Sequence, residues 1–421
     1  MAKYKTRTIE ESLNSLINNC PVIMITGPRQ VGKTTLLNHL AETSTEKINY
    51  VSLDNLIIRS QAQEDPELFL KTYETPLIID EFQYAPNLLS YIKIKIDNAR
   101  KNEMFDDGKE VGTMYYLTGS QIFQTMKNVS ESLAGRVGIL DLYGFSTREL
   151  NNAKESVFIP DINLLKNKER IKYETTKKIF ERIINGSYPE VNKENGRDRE
   201  AFYEDYVRTY IERDVRELIN IKDEYKFLKF ISSVAARTAQ EYNAADVASD
   251  VGIDSKTADE WISILRNTNL IYMLQAYSNN NIKKAIKRPK IYFMDTGLCC
   301  YLTGYFSGEI LEKSAFNGAI FETYIISEIV KSYTNNGKDP RMRLYYYRDT
   351  NQKEIDLLVF HDNKVYPVEI KKSANPGKTS IKNFDIVEKF GVERGDGVVL
   401  CMMEDILAID ENNYYVPIEY V

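Results

Sequence analysis

The sequence is organised around a short glycine-containing stretch, Gly27-Pro28-Arg29-Gln30-Val31-Gly32-Lys33-Thr34. An apolar run over residues 21–25 precedes it and indicates a short buried strand, and the apolar residues that follow Thr35 predict a helix. A strand, a glycine loop ending in Lys-Thr and a helix together form the phosphate-binding loop pattern. Glycines let the backbone turn tightly and approach an anion closely, so the loop N–H groups and the helix N-terminus face the phosphates.

Side chains at the end of this loop carry the chemistry that the pattern requires. Lys33 is expected to neutralise the charge of the β- and γ-phosphates, and the Thr34 hydroxyl is expected to ligate Mg²⁺. A glycine-containing turn that matches the pattern by chance is the alternative. The residues predicted to contact the nucleotide are Gly27, Pro28, Arg29, Gln30, Val31, Gly32, Lys33, Thr34 and Thr35.

An acidic pair ends a second apolar run, Leu77-Ile78-Ile79-Asp80-Glu81. In a doubly wound parallel sheet, the carboxyl end of such a strand lies beside the phosphate loop. We therefore expect Asp80 to hold Mg²⁺, directly or through water, and Glu81 to polarise the attacking water. The alternative is a buried strand with a solvated acidic end.

Two further polar side chains adjoin predicted strands in this part of the chain. Ser120 follows the apolar run over residues 114–119, where a polar group can sense the γ-phosphate. Arg136 lies in a loop just before another predicted strand, over residues 138–143. It is a candidate arginine finger, acting within its own chain or across a subunit interface. An exposed structural arginine is the alternative.

Four segments of this region resemble one protein family: GPRQVGKTT, LIIDEFQYAPNLL, YYLTGSQ and LAGRV. Together they are similar to P-loop ATPases of the AAA type, in a prokaryotic group where this module precedes a C-terminal domain of unknown function. The resemblance implies ATP as the nucleotide, Mg²⁺ as its cofactor, and a five-stranded parallel sheet with helices on both faces. The strand pattern in the sequence agrees with that sheet.

The size and composition of the chain limit the remaining possibilities. With 421 residues, it is expected to form two to four domains. The charged N-terminus lacks the apolar core of a signal peptide, and no apolar run is long enough to cross a bilayer. We therefore expect a cytoplasmic protein without a membrane partner. Four cysteines without CxxC spacing and two histidines disfavour a zinc site, and a net charge of −6 means that nucleic acid would need a local basic patch.

The middle of the chain is predicted to contain a linker, a helical lid and a winged helix. Residues 151–170 are polar and indicate a linker or loose loop, and helical periodicity over residues 202–220 predicts a helix. Two segments here, GSYPEV and RTYIERDV, also resemble the ATPase family, and the resemblance implies that they form a helical lid near the nucleotide. Two helices joined by a turn at Gly252, followed by strands over residues 271–276 and 290–294, are typical of a winged helix.

A basic cluster lies between and beside the two strands of this winged-helix segment and offers phosphate contacts. The second helix argues against sequence-specific DNA recognition, because its acidic residues would repel phosphates. A winged helix used for domain packing or protein contact is the alternative. The cluster consists of Lys283, Lys284, Lys287, Arg288 and Lys290, and the acidic residues are Asp254, Asp259 and Glu260.

A third set of charged residues lies in the C-terminal part, on a predicted helix and two predicted strands. Glu322 shares a helix face with apolar residues, where a carboxylate is costly to bury without a partner. Asp356 lies in the first strand, and Glu369 and Lys371 share one face of the next. A helical Glu, a strand Asp and a Glu-x-Lys pair match the PD-(D/E)xK nuclease pattern.

This set predicts metal-assisted hydrolysis of a phosphodiester. Asp356 and Glu369 are expected to hold Mg²⁺, with Glu322 closing the site. Lys371 is expected to orient or deprotonate the attacking water. Carboxylates that share one ion should lie within about 8 Å of each other. The alternative is that Lys371 and Arg348 neutralise these carboxylates as salt bridges. The segments YRD and IDL also resemble the C-terminal domain of the ATPase group, which is similar to a restriction-endonuclease fold.

The sequence thus predicts an α/β multi-domain protein with a P-loop doubly wound parallel sheet, a helical lid, a winged helix and a C-terminal α/β restriction-endonuclease-like domain. The predicted boundaries are 1–150 for the AAA-type ATPase core, 151–225 for linker and lid, 226–300 for the winged-helix-like segment and 301–421 for the nuclease-like domain.

The expected function is ATP binding and Mg²⁺-dependent ATP hydrolysis, with DNA as a candidate substrate of the C-terminal domain. One alternative is an ATP-dependent regulatory switch that docks a protein partner through a catalytically silent nuclease-like fold. Another is an ATP-dependent DNA-binding protein that does not cleave. A homo-oligomer is a further open possibility.

Overall fold

The computed structural model describes residues 4–105, 112–119, 133–210, 224–278 and 288–421. The chain divides into two units. The first comprises Met1–Gly144 and two short later segments, Asn267–Asn269 and Thr334–Gly337. The second comprises Phe145–Arg266, Leu270–Tyr333 and Lys338–Val421.

A parallel sheet forms the centre of the first unit, with strands β1 (Val22–Thr26), β2 (Asn49–Ser52), β3 (Leu77–Asp80), β4 (Tyr115–Gly119) and β5 (Val137–Asp141). The strands lie in the order β2-β3-β4-β1-β5, and every neighbouring pair runs parallel. The predicted five-stranded parallel sheet is therefore confirmed. The three central strands are buried throughout, as expected for a parallel sheet covered on both faces.

The helices of this unit are α1 (Ile9–Leu16), α2 (Lys33–Thr43), α3 (Leu56–Glu64), α4 (Pro66–Thr72) and α5 (Leu88–Phe105). Apolar residues of α3, α4 and α5 share one core with alternate residues of β1, β3 and β4. Since β1 runs into the glycine loop and α2 begins at Lys33, the loop lies at the carboxyl edge of the sheet. The carboxyl end of β3, with Asp80, lies at the same edge.

The second unit contains many helices and an antiparallel ribbon. The ribbon consists of β6 (Ile271–Leu274) and β7 (Lys290–Phe293). Its helices are α6 (Thr147–Leu150), α7 (Ile162–Asn167), α8 (Thr176–Asn185), α9 (Pro189–Asn192), α10 (Arg199–Thr209), α11 (Glu224–Ala235), α12 (Ala244–Val251), α13 (Ser255–Asn267), α14 (Thr296–Leu302), α15 (Gly308–Lys313) and α16 (Asn317–Asn335).

Helices and strands occupy the positions predicted for the winged helix. Helix α12 is capped at its C-terminus by Gly252, whose φ of +77° is the left-handed conformation that glycine adopts readily. Helix α13 follows after two residues, and the ribbon comes after α13. These elements are those of the predicted segment, and its assignment as a winged helix stays a prediction.

The predicted linker and lid differ in detail from the structure. Residues 151–170 include α7 and the fully buried Phe158 and Leu165, so this segment packs rather than forming a loose loop. The segment is mostly polar, so its composition did not indicate the few apolar side chains that become buried. Helix α10 supplies the first part of the predicted lid helix, and the part from residue 211 onward lies outside the described residues.

The C-terminal sheet is mixed. It contains β8 (Leu344–Arg348), β9 (Glu354–His361), β10 (Lys364–Ile370), β11 (Glu393–Arg394), β12 (Gly397–Cys401), β13 (Leu407–Ala408) and β14 (Asn413–Pro417). The order is β13-β14-β12-β10-β9-β8, and β11 pairs with β10. Strands β8, β9 and β10 are antiparallel, whereas β10, β12 and β14 are parallel. The adjacent β9 and β10 bring Asp356 and Glu369 near each other.

Candidate functional site

The glycine loop between β1 and α2 has a backbone that requires glycine. Gly27 has a φ of +143°, and a Cβ added there would lie 1.9 Å from the carbonyl oxygen of Leu142. Gly32 has a φ of +98° and caps the N-terminus of α2. Side chains are strained at both positions. The loop therefore presents bare backbone to the carboxyl edge of the sheet, as a phosphate-binding loop requires.

The Lys33 ammonium group lies inside this loop. The residue is only 6% exposed, and its Nζ donates to the carbonyl oxygens of Gly27 at 2.9 Å and Pro28 at 2.7 Å. A buried cation must be satisfied by hydrogen bonds or charge, and the loop carbonyls contribute to this. The charge of Lys33 is thus directed into the loop, and its role at the phosphates stays a prediction.

Asp80 at the end of β3 is held by hydroxyl groups from three different elements. The Thr34 Oγ1 lies 3.1 Å from both carboxylate oxygens of Asp80. Tyr50 from β2 donates to Oδ2 at 2.9 Å, and Thr118 from β4 donates a short hydrogen bond to Oδ1. The structure therefore brings together Thr34 and Asp80, the two residues predicted to bind Mg²⁺ in this part of the chain.

Sequence reasoning missed the roles of Tyr50 and Thr118. Burial, followed by the negative charge of Asp80, raises the pKa of Tyr50 to about 12. The phenol consequently remains a neutral donor to Asp80 at physiological pH. Tyr50 lies on β2 and Thr118 on β4, the two strands that flank β3 in the sheet. Their contact with Asp80 depends on the order of the strands, which no local sequence signal indicates.

Glu81 follows β3 in a left-handed conformation, with a φ of +53°. Its backbone N–H donates to the Thr118 hydroxyl at 3.1 Å, and the Gln83 side chain donates a short hydrogen bond to the Glu81 carboxylate. A non-glycine residue with positive φ is uncommon and is often found at functional sites. Gln83 thus fixes the orientation of the carboxylate predicted to act on water.

Two other predicted residues of this region have different outcomes. Arg136 pairs with Asp97 of α5, with N–O distances of 2.8 and 2.7 Å, and its side chain is 24% exposed. This is the arrangement of a structural ion pair, and a role as an arginine finger stays a prediction. Ser120 lies outside the residues that the structure describes.

The remaining predicted nucleotide contacts lie together in the loop and the first turn of α2. They are Pro28, Arg29, Gln30, Val31 and Thr35. Gln30 has a φ of +60°, so the strained part of the loop is not limited to its glycines. The contiguous sequence pattern was sufficient to locate these residues, because strand, loop and helix follow directly in the chain.

A second cluster lies in the C-terminal sheet. Asp356 on β9 is 8% exposed, and its Oδ2 accepts a hydrogen bond from the backbone N–H of Ile370 at 2.9 Å. The Lys371 Nζ lies 3.6 Å from Oδ2 of Asp356 and 2.6 Å from Oε1 of Glu369. One ammonium group therefore bridges both carboxylates, which lie well within the predicted separation. The predicted salt bridge between Lys371 and these carboxylates is present.

Burial and mutual charge shift the titration of this cluster. Burial and then the neighbouring charge of Asp356 raise the pKa of Glu369, against the opposing effect of Lys371. Burial alone would lower the pKa of Lys371, but the carboxylates of Asp356 and Glu369 outweigh it and raise that pKa. The two carboxylates therefore stabilise the charged form of Lys371, whereas burial disfavours the charged form of Glu369.

Glu322 has different partners from those predicted. Its Oε1 accepts hydrogen bonds from the Nζ of Lys290 at 3.2 Å and from the hydroxyl of Tyr292 at 2.6 Å, both on β7. Lys290 also pairs with Glu354 at 2.6 Å. Burial first, with a further contribution from Asp356, raises the pKa of Glu322 to about 7, while Lys290 opposes the shift. The ribbon thus supplies the partner that this helical carboxylate requires.

This ion pair changes the interpretation of the basic cluster in the predicted winged helix. Lys290 is only 3% exposed, so it is an ion-pair partner inside the protein and is not available to grip phosphates. Arg288 is exposed, and its backbone carbonyl accepts a short hydrogen bond from Tyr346. The other members, Lys283, Lys284 and Lys287, lie outside the described residues.

A metal site built from three carboxylates is not formed in the C-terminal cluster. Among the residues that the structure describes, no group of three or more His, Cys, Asp or Glu side chains is placed to hold a metal ion. In this cluster, Glu322 instead accepts hydrogen bonds from Lys290 and Tyr292 of the ribbon. A metal here would have to use Asp356 and Glu369. Arg348, the other predicted partner, pairs with Glu241 at 3.4 Å and Glu354 at 3.7 Å.

Three parts of the chain match family models. Residues 19–151 match a model described as an AAA domain. Residues 176–309 match "Domain of unknown function (DUF8612)", and residues 317–421 match "Domain of unknown function (DUF4143)". The first match agrees with the glycine loop, the parallel sheet and the Thr34–Asp80 contact. The N-terminal part of the chain therefore carries an AAA-type P-loop domain.

Two mycobacterial proteins are similar over most of the chain. The uncharacterized proteins Rv2008c of Mycobacterium tuberculosis (strain ATCC 25618 / H37Rv) and Mb2031c of Mycobacterium bovis (strain ATCC BAA-935 / AF2122/97) are each 24% identical to it over 365 residues. These residues make up 86% of this chain and 73% of each relative.

Solved structures show weaker likenesses. The Thermotoga maritima RuvB Holliday junction branch migration motor is 16% identical, with a TM-score of 0.29, covering 63% of this chain and 88% of that one. The Aeropyrum pernix ORC2 protein, in ADPNP-ADP complexes, is 14% identical, with a TM-score of 0.31, covering 77% of this chain and 92% of that one.

Within the described ranges, none of the helices combines the length and apolar character that crossing a bilayer requires.

Lys290 should be essential for the stability of the second unit. Replacing it by methionine in Lys290→Met leaves Glu322 and Glu354 without their shared cation, and breaking a buried pair in this way typically costs about 3–5 kcal/mol. We expect a clear fall in the urea midpoint of unfolding. The matched control is Lys313→Met, which breaks an exposed pair with Glu309 and should leave the midpoint unchanged. Equal midpoints for both variants would contradict the buried ion-pair network.

Proposed function

We propose that this protein binds ATP and hydrolyses it with the help of Mg²⁺ at the carboxyl edge of the first unit's sheet. The observation that carries the proposal is the contact between the Thr34 hydroxyl and the Asp80 carboxylate, beside the loop that holds Lys33. These groups come from separate segments of the chain and meet where a nucleotide's phosphates would lie. The match of residues 19–151 to an AAA domain supports the same function.

Each group has a defined role in this proposal. The loop N–H groups and the N-terminus of α2 bind the phosphates, and Lys33 neutralises their charge. Thr34 and Asp80 offer the hard oxygen ligands that Mg²⁺ prefers, and they already face each other, so they fit this ion. When bound, Mg²⁺ neutralises charge that develops on the phosphates. Glu81, held by Gln83, orients the water.

The nucleotide site makes a direct prediction for two variants. Lys33→Ala should lose ATP binding and turnover, because the phosphate charge is no longer neutralised. Glu81→Gln should keep ATP bound and slow hydrolysis by about 10²-fold or more, within the range for groups that act on protons. Calorimetry with Mg²⁺ measures the binding, and phosphate release measures the turnover.

A matched control separates the specific role of Lys33 from the effect of removing any positive charge. Lys101 on α5 is exposed in the same unit, so Lys101→Ala should leave both binding and turnover unchanged. Wild-type protein that does not bind ATP in the presence of Mg²⁺ would refute the proposal. Glu81→Gln with wild-type turnover would remove Glu81 from the reaction while leaving ATP binding in place.

A second proposed function is hydrolysis of a phosphodiester at the C-terminal cluster, with DNA as the candidate substrate. The supporting observation is the Lys371 ammonium that bridges Asp356 and Glu369 on neighbouring strands. An ammonium group between two carboxylates is itself a cation at the place where the PD-(D/E)xK pattern positions its metal. Asp356 and Glu369 would hold Mg²⁺, and Lys371 would act on the attacking water.

The C-terminal cluster can be tested independently of the nucleotide site. Asp356→Ala should abolish Mg²⁺-dependent nicking of a labelled DNA and leave ATP hydrolysis intact, because its carboxylate is needed only for the second reaction. Lys371→Ala should still bind Mn²⁺ but lose the nicking. The exposed Lys378 provides the control Lys378→Ala, which should cleave as the wild type does. Absence of metal-dependent nicking by wild-type protein on any DNA or RNA would leave this cluster as an ion-pair network.

The competing functions differ in what they predict for uncut DNA. An ATP-dependent DNA-binding protein that does not cleave would shift DNA in Ca²⁺, whereas a regulatory switch that docks a protein partner would not. In either case, we propose the division into the segments 1–150, 151–225, 226–300 and 301–421, with the winged-helix segment as the DNA or protein contact. A homo-oligomer, which would let Arg136 act on a neighbouring copy, is part of the same proposal.

A further inference from the structure

A buried arginine precedes the first helix, and neither proposed reaction uses it. Arg7 is only 4% exposed and lies two residues before α1. Removing a guanidinium group from water is costly unless its N–H groups are satisfied. Arg7 lies next to the glycine loop, although Val31 in that loop is 24 residues away in the sequence. Its burial at this place therefore needs partners that satisfy its N–H groups.

The Arg7 guanidinium group binds backbone carbonyls on two sides. Its Nη1 donates to the carbonyl oxygen of Val31, inside the glycine loop, at 3.1 Å. Its Nη2 donates to the carbonyl oxygens of Tyr143 at 2.8 Å and Gly144 at 3.4 Å, just beyond β5. The rigid planar fork of arginine suits such a bridge. Arg7 therefore fastens the loop to the chain that leaves β5.

The other end of the loop rests on the same segment. The backbone of Leu142 lies against Gly27, where no Cβ would fit, and its N–H donates to the carbonyl oxygen of Thr26 at 2.8 Å. Both ends of the loop thus lean on residues 142–144, one through close backbone contact and the other through Arg7. The loop would lose its second support if the arginine were replaced.

Arg7 is itself held in place by the segment around it. Tyr4 stacks on His39 of α2, with ring centroids 3.8 Å apart. The Tyr4 hydroxyl and the Arg7 backbone N–H both donate to the Glu10 carboxylate, at 2.7 and 2.6 Å. The N-terminal segment is therefore attached to α1 and to the helix that follows the loop.

The peptide bond between Val31 and Gly32 links the contact with Arg7 to the direction of the Gly32 N–H. In a trans peptide, the carbonyl of one residue and the N–H of the next point in opposite directions. Holding the carbonyl of Val31 toward Arg7 therefore directs the N–H of Gly32 away from Arg7. Gly32 is the N-cap of α2, where backbone N–H groups bind anions.

We infer that Arg7 is a positioning residue of the nucleotide site, which fixes the Val31–Gly32 peptide so that the Gly32 N–H faces the phosphates. This inference rests on the proposed ATP site. Arg7 does not contact the nucleotide in this account and acts only through the loop. It should therefore affect the affinity for any ligand that carries the phosphate chain, whether or not a base is attached.

The test compares binding of Mg²⁺–ATP and Mg²⁺–tripolyphosphate by calorimetry. Arg7→Lys keeps the charge but loses the fork, so it should weaken both ligands by about tenfold to a hundredfold, as expected for hydrogen bonds to a charged group. The control is Arg59→Lys, since Arg59 donates to the Leu53 carbonyl and pairs with Asp54, neither of which belongs to the glycine loop, and it should leave both affinities unchanged.

Hydrogen exchange gives a readout that a merely structural role would not change. Peptides covering residues 28–34 should gain protection when wild-type protein binds Mg²⁺–tripolyphosphate, and Arg7→Lys should lose that gain at a saturating ligand concentration. Wild-type affinities and protection in a folded Arg7→Lys would overturn the inference. Failure of the wild type to bind either ligand would instead refute the proposed ATP site.

A second variant keeps the test decisive if substitutions at Arg7 prevent folding. Tyr4→Ala removes the stacking on His39 but keeps the arginine, and should loosen the segment that carries it. We expect about a twofold to tenfold loss of affinity for tripolyphosphate, in line with the energy of one aromatic pair. Unchanged affinity and unchanged loop protection in Tyr4→Ala would overturn the inference in that case.

Discussion

The hydrogen bond between the Thr34 hydroxyl and the Asp80 carboxylate is the contact on which the nucleotide site depends. It joins the first turn of α2 to the end of β3, although β4 lies between β1 and β3 in the sheet. Thr118 at the end of β4 binds the same carboxylate, so the intervening strand strengthens the contact. Hard oxygen atoms thereby converge at one point of the sheet edge, directly beside the lysine in the loop.

Ion pairs between carboxylates and lysines stabilise the C-terminal part of the structure. Three carboxylates of this part that are largely removed from water are matched by lysines: Glu322 by Lys290 on the ribbon, and Asp356 and Glu369 by Lys371. Burying these charges without partners would be costly. A metal ion at Asp356 and Glu369 would have to displace the Lys371 ammonium group, which makes metal affinity a decisive property of this cluster.

Local patterns predicted much of the fold, whereas contacts between distant segments escaped prediction. The strand, glycine loop and helix are contiguous, so the sequence located them correctly, and Asp80 could be placed because parallel strands end at one edge. Arg7 binds acceptors 24 and 136 residues away, and no sequence periodicity indicates such pairs. Lys290 was predicted to belong to a basic cluster that offers phosphate contacts, because its ion pairs with Glu322 and Glu354, 32 and 64 residues later, leave no local signal in the sequence.

The most direct test of this account is the effect of Mg²⁺ on the affinity for ATP, measured by calorimetry with excess Mg²⁺ and with a chelator. The account predicts that Mg²⁺ tightens ATP binding to the wild type and that Asp80→Asn removes this difference, because the carboxylate that faces Thr34 is lost. Equal affinities of the wild type with and without Mg²⁺, or a Mg²⁺ effect that survives in Asp80→Asn, would contradict it.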